Sequence, residues 1–143
     1  KRWFMMGLSA GYHNLDDFRS GKRPCGANET FWLEQEERMF AIFKKVIALG
    51  LLPVCGTDAG TGGTRFDETW LELALMVRRG CLSAREAIRI GTDQSAACLG
   101  LTRETGAIGE GLSADLIALE TDPITCIEAL AHPARVMAQG RLV

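Results

Sequence analysis

Histidine is scarce in this chain of 143 residues, which contains only two, His13 and His132. They lie far apart, and neither belongs to a His-x-His or His-Glu-x-x-His pattern, the spacings that place two zinc ligands side by side. His132 precedes Pro133 in a turn-like stretch and is expected at the surface. His13 follows the first apolar run and is expected in a loop, where it could share a face with Asp58. The histidines alone do not predict a metal site.

Paired cysteines are also lacking. The five cysteines are widely spaced, odd in number and form no Cys-x-x-Cys motif. This pattern argues against a disulfide framework and against a zinc knuckle. The sequence predicts buried free thiols in a reducing compartment, and therefore a cytoplasmic protein.

The net charge of the chain is small, and its apolar runs are short. The net charge is -2 with scattered arginines, which is unlike the basic surface of a nucleic-acid-binding protein. The longest apolar stretch, around residues 47–55, is far short of the ~20 residues of a membrane span. The first residues are basic and then apolar, but this run ends at Leu8 and predicts a strand rather than a signal peptide. Neither nucleic acid nor membrane is an expected partner.

Two common catalytic motifs are absent. No Ser or Cys lies in a Gly-x-Ser-x-Gly elbow, so a hydrolase triad is unsupported. The glycine-rich stretch Gly60–Thr64 lacks the Gly-Lys-Ser/Thr ending of a phosphate-binding loop. A loop beside an active site is the better interpretation of this stretch.

The first part of the chain predicts a β-α-β unit. Apolar runs at Trp3–Leu8 and Leu51–Cys55 predict two buried strands, and the apolar spacing of Glu29–Leu49 predicts a helix that ends at Gly50. Residues 11–29 have a loop composition, with Asn28 as a candidate helix cap. Strands joined by a helix of this length are parallel.

The second part predicts helices followed by small strands. Asp67 is expected to cap a helix over Trp70–Val77, and Ser83 with Glu86 forms a capping box. Two further short helices are expected. The first begins at the capping box and ends near Ile90, and the second covers about 93–99. After Gly106, β-like pieces are predicted at 115–119, 135–138 and 142–143.

The most informative local feature is Gly56-Thr57-Asp58-Ala59-Gly60 at the carboxyl end of the second strand. Functional sites of α/β folds gather at this end of parallel strands. A carboxylate there can bind a metal or move a proton, and Gly60 and Thr61 are candidate substrate contacts because glycine permits a close approach. Standing alone, the same residues are also typical of a turn or a helix cap.

Several further segments, taken in order, resemble the carboxyl-terminal part of the amidohydrolase superfamily. They resemble most the branch of imidazolonepropionase-like enzymes and Xaa-Pro dipeptidases. The segments are the Asp58 motif, Leu73–Gly80, Leu82–Arg89, Thr92–Gly100, Gly106–Gly111 followed by Ala114-Asp115-Leu116-Ile117, Asp122-Pro123, and Val136–Val143. Leu112 stands where the family usually has lysine, and the small or Asn residue usual near Asp93-Gln94 is missing.

This resemblance implies an α/β fold, namely the carboxyl-terminal part of a metal-dependent hydrolase β/α (TIM) barrel plus strands of a small composite β-sandwich. Residues 1–105 would form the last β/α units of the barrel, and residues 106–143 the strands of the sandwich. Asp58 would be the carboxylate of the eighth strand, both a metal ligand and the catalytic proton shuttle. The cofactor implied is a divalent metal, usually zinc, and the remaining ligands are absent from this chain.

The expected function is hydrolysis of a C–N bond in a peptide, amide or cyclic amide by metal-activated water, within a longer chain. Its partners would be a small-molecule or dipeptide-like substrate and the missing amino-terminal barrel portion or a partner chain, and a homo-oligomer is possible. One alternative is a non-catalytic binding or interaction module that stands alone. The other is a deaminase of the same fold. The residues leave these alternatives open.

Overall fold

Two short parallel strands, β1 (Trp3–Met5) and β2 (Leu52–Val54), form the first sheet, with Trp3 opposite Leu52 and Met5 opposite Val54. The computed structural model describes residues 2–22, 29–60 and 64–143. Helix α2 (Glu29–Ala48) lies between the strands along the chain and ends before Gly50, whose φ of 79° is left-handed. The predicted parallel β-α-β unit and its helix are therefore confirmed.

A first helix, α1 (Leu8–Arg19), occupies part of the stretch that was predicted to be a loop. That prediction was wrong for residues 11–19, because α1 gains its stability by packing on α2 and on a later helix rather than from its polar composition. The first strand is also shorter than predicted, since Leu8 begins α1 and is fully buried. Asn28, the expected cap of α2, lies outside the described residues.

Helix α3 (Thr69–Arg78) lies at the centre of the core. Its residues Leu71 to Met76 are all buried, because α1, α4 (Ala84–Arg89) and a 3-10 segment (Ile127–Ala131) pack around it. Phe40 and Phe43 of α2 join the same cluster, and the Phe43 ring meets the Phe4 ring edge-on at 5.5 Å. This coverage explains why the middle of α3 is apolar apart from Glu72.

The α4 helix begins with the capping box predicted from Ser83 and Glu86. The Ser83 amide donates to Glu86 Oε2 at 2.8 Å, and the Glu86 amide donates to Ser83 Oγ at 3.3 Å. The Ser83 hydroxyl also donates to Glu86 Oε2 at 2.6 Å, and this bond, followed by the one from the Ser83 amide, lowers the pKa of Glu86. The exchange satisfies two amides that would otherwise lack a partner at the start of the helix.

A π-helical turn, Ile90–Gln94, joins α4 to α5 (Ser95–Leu99), so the two predicted helices are one continuous helical segment. The turn brings polar side chains to strand β2. Gln94 Nε2 donates to the carbonyl of Pro53 at 2.5 Å, and Ser95 Oγ accepts from the amide of Cys55 at 3.1 Å. The π turn and the first residue of α5 thus bond to the backbone of Pro53 in β2 and of Cys55, which directly follows β2.

The last strands form a separate antiparallel sheet in the order β3 (Leu116–Ala118), β4 (Arg135–Ala138), β5 (Arg141–Leu142). The turn between β4 and β5 consists of Gln139 and Gly140, with φ values of 49° and 78°. Two consecutive positive φ values match the tight hairpin turns whose twist suits antiparallel strands. The three predicted strands are confirmed, β5 one residue earlier than expected, and their division into a domain at residue 106 stays a prediction.

The architecture is therefore mixed: a helical core with a short parallel strand pair, and a separate small antiparallel sheet. Among the described helices, none is long and apolar enough to cross a membrane.

Candidate active site

The carboxyl ends of β1 and β2 meet at two glycine-containing turns. A Cβ atom built on Gly7 would lie 3.7 Å from Asp58 Cβ, 3.6 Å from the carbonyl oxygen of Thr57 and 3.7 Å from that of Gly56. The turn after β1 therefore supports the segment after β2 directly. This contact follows from the parallel pairing, which places both strand ends at the same edge.

Asp58 is exposed and has a left-handed backbone, with φ at 57°. This conformation costs a non-glycine residue energy and is concentrated at functional sites, although aspartate tolerates it better than most residues. The turn is stabilised locally, because the Ala59 amide donates to Thr57 Oγ1 at 3.2 Å. The carboxylate thus projects from a fixed turn into the solvent at the end of the strand.

A backbone hydrogen bond joins the two ends of the segment after Asp58. The Gly60 amide donates to the carbonyl of Thr64 at 2.9 Å, and Gly60 has a φ of 93° that favours glycine. The exposed ring of Phe66 lies over Gly60, since a Cβ there would be 3.4 Å from Phe66 Cζ. Of the two predicted substrate contacts, Gly60 therefore lies two residues from Asp58 in this turn, whereas Thr61 lies outside the described residues.

The same segment is anchored at its far end by charged residues. Glu68 Oε2 lies 2.9 Å from His13 Nε2 of helix α1 and accepts from the Arg65 amide at 3.3 Å. The Arg65 guanidinium donates to both oxygens of Asp67, at 2.9 and 2.7 Å, and its hydrogen bond is the main cause that lowers the pKa of Asp67.

This arrangement corrects two expectations. Asp67 does not cap α3, which begins at Thr69 after Glu68, because its carboxylate is bound to Arg65 instead. His13 lies in helix α1 rather than in a loop. It contacts the segment that follows Asp58, whereas His132 is exposed, as predicted.

Glu72 is a residue that the sequence reasoning missed. Its side chain is fully buried, and its two carboxylate oxygens accept hydrogen bonds from the amides of Leu8 and Ser9, at 2.8 and 2.9 Å. Burial raises the pKa of Glu72, and the bonds from these two amides oppose that rise. The signal was present in the sequence, since Glu72 is the single charged residue between Thr69 and Val77.

Cys55 lies three residues before Asp58, and its thiol is unreactive at neutral pH. Burial, followed by the negative charge of Glu72, raises the pKa of Cys55 to about 12. A thiol of that pKa stays protonated and unreactive at neutral pH. Cys55, Cys81, Cys98 and Cys126 are free thiols, as predicted, but the first three are only partly buried and Cys126 is exposed, so the prediction that they are buried was wrong for Cys126 and holds only in part for the others. Cys25 lies outside the described residues.

The donor chemistry at Asp58 suits a divalent cation, because an exposed carboxylate at a strand end is a common metal ligand. A catalytic zinc usually needs three protein ligands. Within the part of the chain that the structure describes, no three His, Cys, Asp or Glu side chains converge to hold a metal. Asp58 therefore fits as one ligand of a larger set.

Comparison with known proteins identifies the family of this chain. The sequence profile of the amidohydrolase family matches residues 34–143. This chain belongs to the amidohydrolase family. The resemblance inferred from the Asp58 motif and the later segments is thereby confirmed, and the match includes the turn, α3 and the antiparallel strands.

Individual amidohydrolases support this assignment. Ochratoxinase of Aspergillus niger is 35% identical over 95 residues, which are 66% of this chain and 19% of that protein. The crystal structure of a protein from Bifidobacterium longum assigned as a prolidase superposes with a TM-score of 0.81 and 32% identity, covering 99% of this chain and 35% of the other. A Xaa-Pro dipeptidase with methionine bound in its active site gives a TM-score of 0.78 and 27% identity, covering 99% and 34%. The chain thus spans about a fifth of the curated relative and about a third of these solved structures.

Proposed function

We propose that this chain supplies the strand-end carboxylate of a metal-dependent amidohydrolase that cleaves a C–N bond in a peptide, amide or cyclic amide. The observation that supports the proposal is the position of Asp58. Its carboxylate is exposed, held in a left-handed turn, and located where the carboxyl ends of two parallel strands meet. Membership of the amidohydrolase family is the reason for assigning this carboxylate to C–N bond hydrolysis rather than to a purely structural turn.

The proposed role of Asp58 is to bind a divalent metal, with zinc as the first choice, and to transfer a proton. When bound, such a metal supplies Lewis-acid chemistry at the scissile group. Asp58 would accept a proton from the attacking water and deliver it to the leaving nitrogen, a task that requires a carboxylate within hydrogen-bond reach. The exposure of Asp58 leaves its oxygens accessible for both tasks.

The remaining metal ligands are proposed to come from residues outside this chain, since the chain spans 35% of the Bifidobacterium longum structure. In that proposal, β1 and β2 are the last two strands of a β/α barrel, and β3 to β5 belong to a small β-sandwich. The names of the similar proteins, which include a Xaa-Pro dipeptidase, favour a dipeptide-like substrate.

The test uses the full-length protein with zinc added and a panel of dipeptides, among them Xaa-Pro dipeptides, together with simple cyclic amides. Asp58→Asn keeps the size of the side chain but removes its basicity, so we expect kcat to fall by about 10²–10⁴. Zinc binding should weaken in the same variant.

Asp67→Asn is the matched control, because Asp67 is an exposed aspartate of the same segment that binds Arg65 rather than lying at a strand end. It should keep kcat within about threefold. Hydrolysis and zinc binding that survive Asp58→Asn unchanged would contradict the proposal. Release of ammonia without cleavage of a chain or ring amide would identify a deaminase instead.

A further inference from the structure

The first amides of helix α1 are satisfied by a side chain distant in sequence. Leu8 and Ser9 are its first two residues, and the amides at a helix start have no partner within the helix. Glu72, separated from Leu8 by 64 positions, accepts from both. Burying a carboxylate costs free energy unless it is well hydrogen-bonded, and the bonds from Leu8 and Ser9 offset part of this cost at Glu72.

The residue that precedes helix α1 explains why its cap comes from a distant side chain. Helices are usually capped by Ser, Thr, Asp or Asn at that position, but here it is Gly7, which makes no side-chain cap. A Cβ at Gly7 would already contact Thr57 and Asp58 at 3.6–3.7 Å, so a longer capping side chain would press on the turn that carries Asp58. Gly7 leaves room for the Asp58 turn, and the cap is supplied from Glu72.

The charge of Glu72 also affects the residue that follows the other strand. Its charge acts on Cys55, three residues before Asp58, and contributes to the raised pKa of that thiol. Glu72 is therefore bonded to the chain after β1 and acts electrostatically on Cys55, which directly follows β2.

We propose that Glu72 is a positioning residue for Asp58. By fixing the amides of Leu8 and Ser9, it holds Gly7 against the Asp58 turn and so sets the direction in which the Asp58 carboxylate projects. This inference rests on the proposed function, in which Asp58 binds the metal and moves the proton.

The test compares Glu72→Gln with Glu36→Gln in the full-length protein. Glutamine keeps the shape of Glu72 but turns an NH2 group toward one of the two backbone amides, so the turn must shift. Glu36 is the matched control, because it is also a buried glutamate but pairs at 3.5 Å with Arg79, which follows the carboxyl end of α3. The readouts are zinc affinity by competition with a chelator, kcat and KM.

We expect Glu72→Gln to weaken zinc affinity and to lower kcat by about tenfold or more each, with KM within about twofold. Glu36→Gln should leave all three within about twofold. If Glu72→Gln is folded and keeps zinc affinity and kcat, the inference is overturned. If Asp58→Asn itself binds zinc as tightly as the wild type, the proposed function fails first, and the two failures are thereby distinguished.

A second measurement on the wild-type protein covers the case in which Glu72→Gln does not fold. If the two turns are coupled, zinc binding should slow hydrogen exchange at the Leu8 and Ser9 amides by at least about tenfold more than at Val143, whose amide donates to Val136 in the antiparallel sheet. Equal slowing at all three amides would overturn the inference.

Discussion

His13 Nε2 of helix α1 lies 2.9 Å from Glu68 Oε2, at the end of the segment that Asp58 begins. The nitrogen makes no hydrogen bond of good geometry among the described residues. Both side chains are mostly buried, with 15% and 21% of their surfaces exposed. The pair therefore joins the first helix to the start of α3 across the candidate site.

Replacement of His13 by alanine should lower the free energy of unfolding by about 1 kcal/mol, because a mostly buried pair is worth more than an exposed one. Thermal or denaturant unfolding of the full-length protein measures the loss. His132→Ala is the control, since that histidine is exposed and its replacement should stay within about 0.5 kcal/mol. Equal effects of the two variants would show that the His13–Glu68 contact does not stabilise the fold.

The raised pKa of Glu72 predicts a pH dependence of stability. Its ordinary value is 4.5, and burial is the main cause of the rise in the folded state. Between 4.5 and the higher folded value, the folded protein binds more protons at this site than the unfolded chain, so stability falls as pH rises through that window. Glu72→Gln cannot titrate and should lose this component.

The measurement is the free energy of unfolding of wild type and Glu72→Gln from pH 4 upward. The difference, wild type minus variant, should decrease as pH rises and then level off above the folded pKa. A difference that grows with pH would mean that hydrogen bonding from Leu8 and Ser9 outweighs burial.

Gly106 should tolerate substitution poorly. Its φ is 95°, and a Cβ there would lie 2.5 Å from Ala96 Cβ and 3.2 Å from the carbonyl oxygen of Thr92. Gly106→Ala combines backbone strain with overpacking against a rigid helix, so we expect a cost of about 2–4 kcal/mol in unfolding experiments.

Gly111 separates these two contributions. Its φ of 82° imposes a similar strain, but nothing lies within 4 Å of its Cβ position. Gly111→Ala should therefore cost only about 1 kcal/mol. Equal costs for the two glycines would show that helix α5 can move aside at Ala96.

Native-state alkylation should discriminate among the cysteines. Burial raises the pKa of Cys55 to about 12 and this residue is only partly exposed, whereas Cys126 is exposed. Because the thiolate is the reactive form, Cys126 should be labelled faster at pH 8 by at least about two orders of magnitude. Timed alkylation followed by peptide mass spectrometry measures both rates, and unfolded protein provides the reference in which both should react. Comparable native rates would mean that the strand end opens frequently.

The features predictable from sequence are those set by local pattern. The apolar spacing and Gly50 give helix α2, the Ser83–Glu86 pair gives the start of α4, and apolar runs give β1 and β2. The position of Asp58 follows from the same logic, since the Gly-Thr-Asp sequence comes directly after the apolar run that forms β2.

The features missed are those that depend on distant residues. Helix α1 has no local cap, and its Gly, Asn and Asp content suits a loop, but Glu72 and the packing of α2 stabilise it. Asp67 has the right spacing for a cap, yet Arg65 binds it. The π turn at Ile90–Gln94 depends on contacts with Pro53 and Cys55, which no local pattern reveals.

The Leu8–Glu72 hydrogen bond also constrains the order in which the chain folds. Because Gly7 offers no side-chain cap, the start of α1 lacks its acceptor until residue 72 has been synthesised and α3 has begun to form. The contact closes a long loop, whose entropic cost must be met before any stabilisation is gained. Helix α1 should therefore acquire its full stability late, together with α3, and a nascent chain that ends before Glu72 would leave this helix only marginally formed.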